Sequence, residues 1–146
     1  MLASAWMKVP AGTRRRARST WTSLISTPVT WYPAGTFIHA DASTVTFPAA
    51  SFDAVVCLYA LIHMPVEAQP GLLRDAAGWL RPAGWLLAVT GQGAWTGTED
   101  NWLGGPATMW WSHADAATYR AWLADAGLEV TTQDFVPEDD GGHALF

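Results

Sequence analysis

An α/β fold built on a parallel sheet follows from three features of the sequence: two unbroken apolar runs, a helix-spaced stretch between them, and a second such stretch further on. The runs are FDAVVCLYAL (residues 52–61) and WLLAVT (85–90). Strands without polar alternation suit burial on both faces, which is the pattern of parallel sheets. Between them, residues 66–80 carry Leu72, Leu73, Ala76, Trp79 and Leu80 at helical spacing, and Arg81 and Pro82 close the helix. Strand, helix and strand in that order make a βαβ unit, whose right-handed crossover lays the two strands parallel in one sheet.

The remaining elements follow in chain order. TFIHA (36–40) is short, apolar and β-rich, and predicts a strand ending at Asp41; DASTVTFPAAS then reads as a loop. After the second apolar run, GQGAWTGTEDNWLGGPATMWW (91–111) is glycine-rich and aromatic without period, so it reads as a long loop or partly formed lid. DAATYRAWLADAG places Ala116, Tyr119, Trp122, Leu123 and Ala126 on one helical face. Ser112 or Asp115 can cap its start, and Gly127 can stop it. LEVTTQDFV alternates loosely like a strand, and GGHALF looks like the opening of a last one.

With 146 residues, half of them apolar, the chain is sized for one domain with one core. Cys57 is the single cysteine, which excludes an internal disulfide and fits a reducing cytoplasm; set in an apolar run, it reads as an inert buried thiol. No stretch approaches the ~20 apolar residues of a membrane span. Charge is asymmetric: Lys8, Arg14, Arg15, Arg16 and Arg18 precede every acid, and beyond them three arginines face all thirteen carboxylates. An acidic body repels phosphates, so no nucleic-acid partner is expected.

Residues 1–33 stand apart as an acid-free, basic N-terminal segment without apolar periodicity, whereas 34–146 form the domain proper. A transit peptide, a basic nucleic-acid arm and a segment that did not evolve with the domain all compete for it. The absence of an amphipathic stripe and the shortness of RRRAR favour the last.

Several local phrases then occur in a telling order: HADA after the first strand, FPAASFDAVVCLYALIHMP across the next, and LRPAGWLLAV into the third. From residue 36 onward the chain resembles the C-terminal two thirds of class I S-adenosylmethionine-dependent methyltransferases of the small-molecule type. The resemblance implies a partial Rossmann-like sheet, mostly parallel with an antiparallel C-terminal strand and helices on both faces. It also implies S-adenosylmethionine as cofactor and a small-molecule acceptor. By this resemblance Asp41 accepts a hydrogen bond from the adenine amino group and Ala42 packs by the ring. Cys57 and Leu58 face the methionine part of the cofactor through their backbone, and His63 lies near cofactor or substrate. Ala83 stands where the family usually has a glycine, in a geometry that alanine tolerates.

Upstream the pattern departs further. The family's glycine-rich turn and its ribose-binding acid precede this region, yet residues 1–35 contain only Gly12 and Gly35 and no acid. Losing two charge-assisted hydrogen bonds removes roughly 3–6 kcal/mol, about a hundred- to ten-thousand-fold in affinity. The family's order also places its first strand beside the FDAVVCL strand, which without it would present an apolar edge open to association. The expectation is weak cofactor binding and doubtful activity for this chain, with an inactive remnant or interaction domain as the alternative.

Other chemistry is less well supported. GQGAWTG follows a strand, but its glycine spacing is one residue too long for a dinucleotide fingerprint and TGTEDNW opens a helix poorly. His39, His63, His113 and His143 show no zinc-site spacing, so no metal is expected. No G-x-S-x-G elbow occurs, and no catalytic residue is assignable, although His63 is open to reading as a general base, a site-lining contact or core. Trp95, Trp102, Trp110 and Trp111 either line an aromatic acceptor pocket or cover the sheet's carboxyl edge.

Overall fold

The computed structural model describes residues 38–138 and 141–146. The basic segment 1–33, with its competing origins, lies outside them. Strand β1 (Phe52–Leu58) leads through a 3₁₀ turn (Leu61–His63) to helix α1 (Gln69–Trp79) and strand β2 (Leu80–Gly91). A hairpin of β3 (Trp95–Glu99) and β4 (Met109–His113) precedes helix α2 (Ala116–Asp125), β5 (Asp134–Glu138) and β6 (Gly141–Leu145).

The βαβ unit forms as the apolar runs require. β1 and β2 pair in parallel, with Val55 opposite Leu86, Val56 opposite Leu87 and Cys57 opposite Ala88. The main sheet has the order β1-β2-β6-β5, and β6 is antiparallel to both of its neighbours. β1, β2 and β5 therefore run in one direction and only the last strand runs against them, giving the mostly parallel sheet with an antiparallel C-terminal strand.

Pleating sends alternate residues of β1 and β2 to opposite faces. Val55, Cys57, Leu86 and Ala88 turn toward the helices, where Leu73, Ala76 and Trp79 of α1 and Tyr119 and Leu123 of α2 are buried with them. Both described helices therefore cover the same face, and they touch each other. Most of the other face is bare: Val56, Leu58, Trp85 and Leu87 are 48%, 50%, 64% and 42% exposed, while Val89 near its carboxyl end is buried. Burial of these strands on both faces, with helices on each side, is not what the described residues provide. Apolar character on both sides of a strand states what the strand can bury, not what covers it.

Several boundaries differ from those the sequence predicts; β5, for one, begins at Asp134 and not at Leu128. Thr36 and Phe37 lie outside the described residues, and Ile38–Ala40 form no strand. Leu80 opens β2 instead of ending α1, because the chain is extended there, at ψ 141°. The register then jumps from Phe52↔Leu80 to Ala54↔Trp85, so Arg81–Gly84 bulge out of the ladder, with Arg81 paired to Asp53. Ala83 sits in that bulge at φ 63°, a left-handed conformation that strains any residue with a Cβ.

The glycine-rich stretch 91–111 is a hairpin and not a loop. Trp95 opposes His113, Gly97 opposes Trp111 and Glu99 opposes Met109, with a 3₁₀ turn (Trp102–Gly104) at the tip. α2 is capped by Asp115, whose carboxylate accepts the Thr118 N–H at 2.8 Å, and it stops before Gly127 at φ 82°. Ser112 does not cap α2, and its hydroxyl instead accepts the Val66 N–H at 3.0 Å.

Candidate functional site

Ligands of open α/β sheets bind outside the carboxyl ends of the strands. Here that edge is built by the segment leaving β1, by the Asp41 loop and by the hairpin that follows β2. Tyr59 turns the chain off β1 in the left-handed region at φ 58°. The 3₁₀ turn then buries Leu61 and Ile62 and leaves His63 half-buried at its end.

His63 is held by the hairpin. Its Nδ1 lies 3.1 Å from the Trp110 carbonyl oxygen. A carbonyl only accepts, so Nδ1 carries a proton, and in the neutral ring the lone pair is on Nε2. The ring lies 4.7 Å from Trp111 at a tilt of 40°, and Trp111 in turn lies 6.3 Å from Trp95 and 6.4 Å from Trp102.

A buried amide fixes the floor beneath. Gln69 is fully buried at the start of α1; its Nε2 faces the carbonyl oxygens of Leu61 and Met64, each at 2.9 Å, and of Ser112 at 2.7 Å. Its Oε1 accepts the Tyr119 hydroxyl at 2.5 Å. One side chain thus ties the 3₁₀ turn, the hairpin and α2 together. Gln69 was missed in the sequence; its helical spacing from Leu72, Leu73 and Ala76 is the signal that could have placed it on the buried face. Tyr59, by contrast, gave no signal, since tyrosine seldom takes a positive φ.

The residues singled out in the sequence occupy the following places. Asp41 is exposed in a turn; its Oδ1 accepts both the Ser43 hydroxyl at 2.7 Å and the Ser43 N–H at 2.8 Å, and these bonds hold its carboxyl below the usual range. Ala42 is buried in one cluster with Leu61 and Met64, which brings the Asp41 loop beside the His63 turn. Cys57 and Ala42 also share the wall of a small apolar cavity of about 50 Å³. Burial raises the Cys57 pKa, as expected of an inert thiol. Leu58 points the other way, onto the bare face. On the far side of the same edge Tyr59 meets His143 edge-on at 4.9 Å, and His143 Nδ1 donates to the Thr90 carbonyl at 3.0 Å.

Among the described residues no group of three His, Cys, Asp or Glu side chains gathers to hold a metal, and no helix is long and apolar enough to cross a membrane.

A family model described as a methyltransferase domain matches residues 16–88. That is half of the chain, and its start lies inside the basic segment. The chain belongs to this methyltransferase family. Its fold is similar to that of S-adenosylmethionine-dependent methyltransferases of known structure. One from Methanosarcina mazei aligns with a TM-score of 0.60 at 17% identity, covering 77% of this chain and 65% of that one. One from Mesorhizobium loti aligns at 0.56 and 18%, covering 82% and 69%. The 1,6-didemethyltoxoflavin-N1-methyltransferase of Burkholderia thailandensis, solved with 1,6-didemethyltoxoflavin and S-adenosylhomocysteine, aligns at 0.52 and 20%, covering 75% and 47%. The chain thus spans less than two thirds of the Methanosarcina protein and under half of the Burkholderia enzyme. No curated protein sequence matches it significantly.

Proposed function

We propose that this chain supplies the C-terminal part of an S-adenosylmethionine-dependent methyltransferase acting on a small-molecule acceptor in the cytoplasm. The observation that carries the reading is the juxtaposition of Asp41, the carboxyl end of β1 and His63 at one edge of a parallel pair. The cofactor supplies an electrophilic sulfonium methyl group; the chain's part is to bind and orient it, since methyl transfer rests mainly on positioning.

The residues present fit part of that ligand. Ser43 occupies Oδ1 of Asp41, and Oδ2, without a partner among the described residues, is the acceptor for the adenine amino group. Cys57 turns its thiol into the core and Leu58 turns its side chain to the bare face, so their main chain is what remains for the methionine part. Ala42 commits its side chain to the core, and its contact to the adenine is by position in the loop and not by its methyl group. His63 completes the set at the acceptor side. The glycine-rich turn and ribose acid have no counterpart in residues 1–35, and weak binding by this chain is the consequence.

The bare apolar face and the unpaired β1 edge among the described residues favour a second reading, an inactive remnant or interaction domain. Amide shifts during titration with S-adenosylhomocysteine to millimolar concentration separate the two. The first reading predicts shifts clustered at Asp41–Ser43 and Leu58–His63. A spectrum unchanged throughout would leave the second.

A further inference from the structure

We infer that the β3–β4 hairpin is the acceptor platform of the domain and takes a planar aromatic compound bearing an ionisable hydroxyl group. The inference rests on the methyltransferase reading for its role, but its geometry is independent. Gly97 lies opposite Trp111 in the hairpin register. A Cβ on Gly97 would meet three atoms of the Trp95 indole at 3.0–3.3 Å, so the missing side chain is what lets Trp95 fold across the strand. The two indoles then share one surface at a tilt of 37°, and His63 continues it beyond Trp111.

A purely covering role would bury these rings. Trp95 instead remains 46% exposed, beside the edge where ligands of this architecture bind. Flat aromatic surface of this kind favours a flat aromatic ligand. The Trp111 Nε1–H is buried and has no partner among the described residues, which leaves a donor deficit within the platform.

His63 adds the chemistry. With Nδ1–H committed to the Trp110 carbonyl, Nε2 is its basic nitrogen. The hydroxyl proton of the ligand passes to Nε2, the O–H bond electrons stay on oxygen, and an aryloxide and an imidazolium result. His63 is the residue that prepares the acceptor oxygen, and Trp95 and Trp111 hold the ring.

Titration of the chain with 7-hydroxycoumarin tests this, because the compound is planar, carries a carbonyl and changes its absorption when it loses its hydroxyl proton. We expect saturable binding with a shift toward the deprotonated spectrum. Trp95→Ala and Gly97→Val should each weaken binding by about tenfold with an unchanged melting temperature. His63→Asn, whose side-chain N–H falls where Nδ1–H does and can keep the bond to Trp110, should retain binding and lose the spectral shift. No binding at millimolar concentration, equal affinity for cyclohexanol, or a shift that survives in His63→Asn overturns the inference. A parallel titration with S-adenosylhomocysteine keeps the two readings apart: coumarin binding without it leaves the platform standing and removes the methyltransferase role, and the reverse removes the platform alone.

Discussion

The Tyr119 hydroxyl donates to Gln69 Oε1 at 2.5 Å inside the core, and this bond joins the two helices that cover the sheet. Gln69 in turn offers two N–H donors to three carbonyl oxygens, so its amide is saturated from both ends. Tyr119→Phe leaves Oε1 unpaired in a buried position and should cost about 1–3 kcal/mol in urea unfolding. Gln69→Leu, close in volume, strands the hydroxyl and the carbonyls together and should cost about 3 kcal/mol or more. Equal, negligible losses for both variants would show that the network is not a structural support.

Alkaline stability follows from the same region. Burial raises the pKa of Tyr119 and of Cys57 above their ordinary values of 10.0 and 9.0. The folded chain therefore favours the protonated forms more than the unfolded chain does. Their contribution is complete below about pH 9 and is lost as pH climbs through the folded pKa values. Unfolding free energy measured across that range should decline above pH 9, and less steeply in Tyr119→Phe.

Ala83 carries left-handed strain in the bulge, and Gly84 beside it is packed against main chain: a Cβ there would lie 2.9 Å from the Arg81 carbonyl oxygen. Ala83→Gly should stabilise by roughly 0.5–1 kcal/mol, the relief of strain exceeding the added chain entropy. Gly84→Ala should destabilise. Thermal melts of the two variants moving in the same direction would contradict this assignment of the bulge.

β1 has no charged residue between Val55 and Leu58 to discourage pairing at its edge, which no strand among the described residues occupies. The chain should self-associate at micromolar concentrations in sedimentation velocity. Val56→Lys combined with Leu87→Lys should yield a monomer with an unchanged melting temperature, because both side chains are exposed. A monomeric unsubstituted chain would contradict the expectation.

The core of the fold was legible because the apolar runs around Val56 and Leu87 and the helical spacing of Leu72, Leu73 and Ala76 are strong, local signals. The α2 boundaries were legible for the same reason, through Asp115 and Gly127. The hairpin was hidden because Gly97 interrupts the alternation that would mark a strand, and its partner Trp111 lies 14 positions away. The uncovered face was hidden because a run such as AVVCL reads the same whether one side or both are covered. Asp41 and His63 were singled out by their neighbours in sequence; Gln69 and Tyr59 act through contacts that only the folded chain brings about.

Equilibrium dialysis of S-adenosylhomocysteine against this chain and its Asp41→Ala variant addresses the cofactor assignment most directly. Binding should be well weaker than low-micromolar, since the glycine turn and ribose acid are missing, and Asp41→Ala should weaken it further by about tenfold. Low-micromolar affinity, or a variant that binds as well as the unsubstituted chain, would contradict the placement of the adenosyl group at this edge.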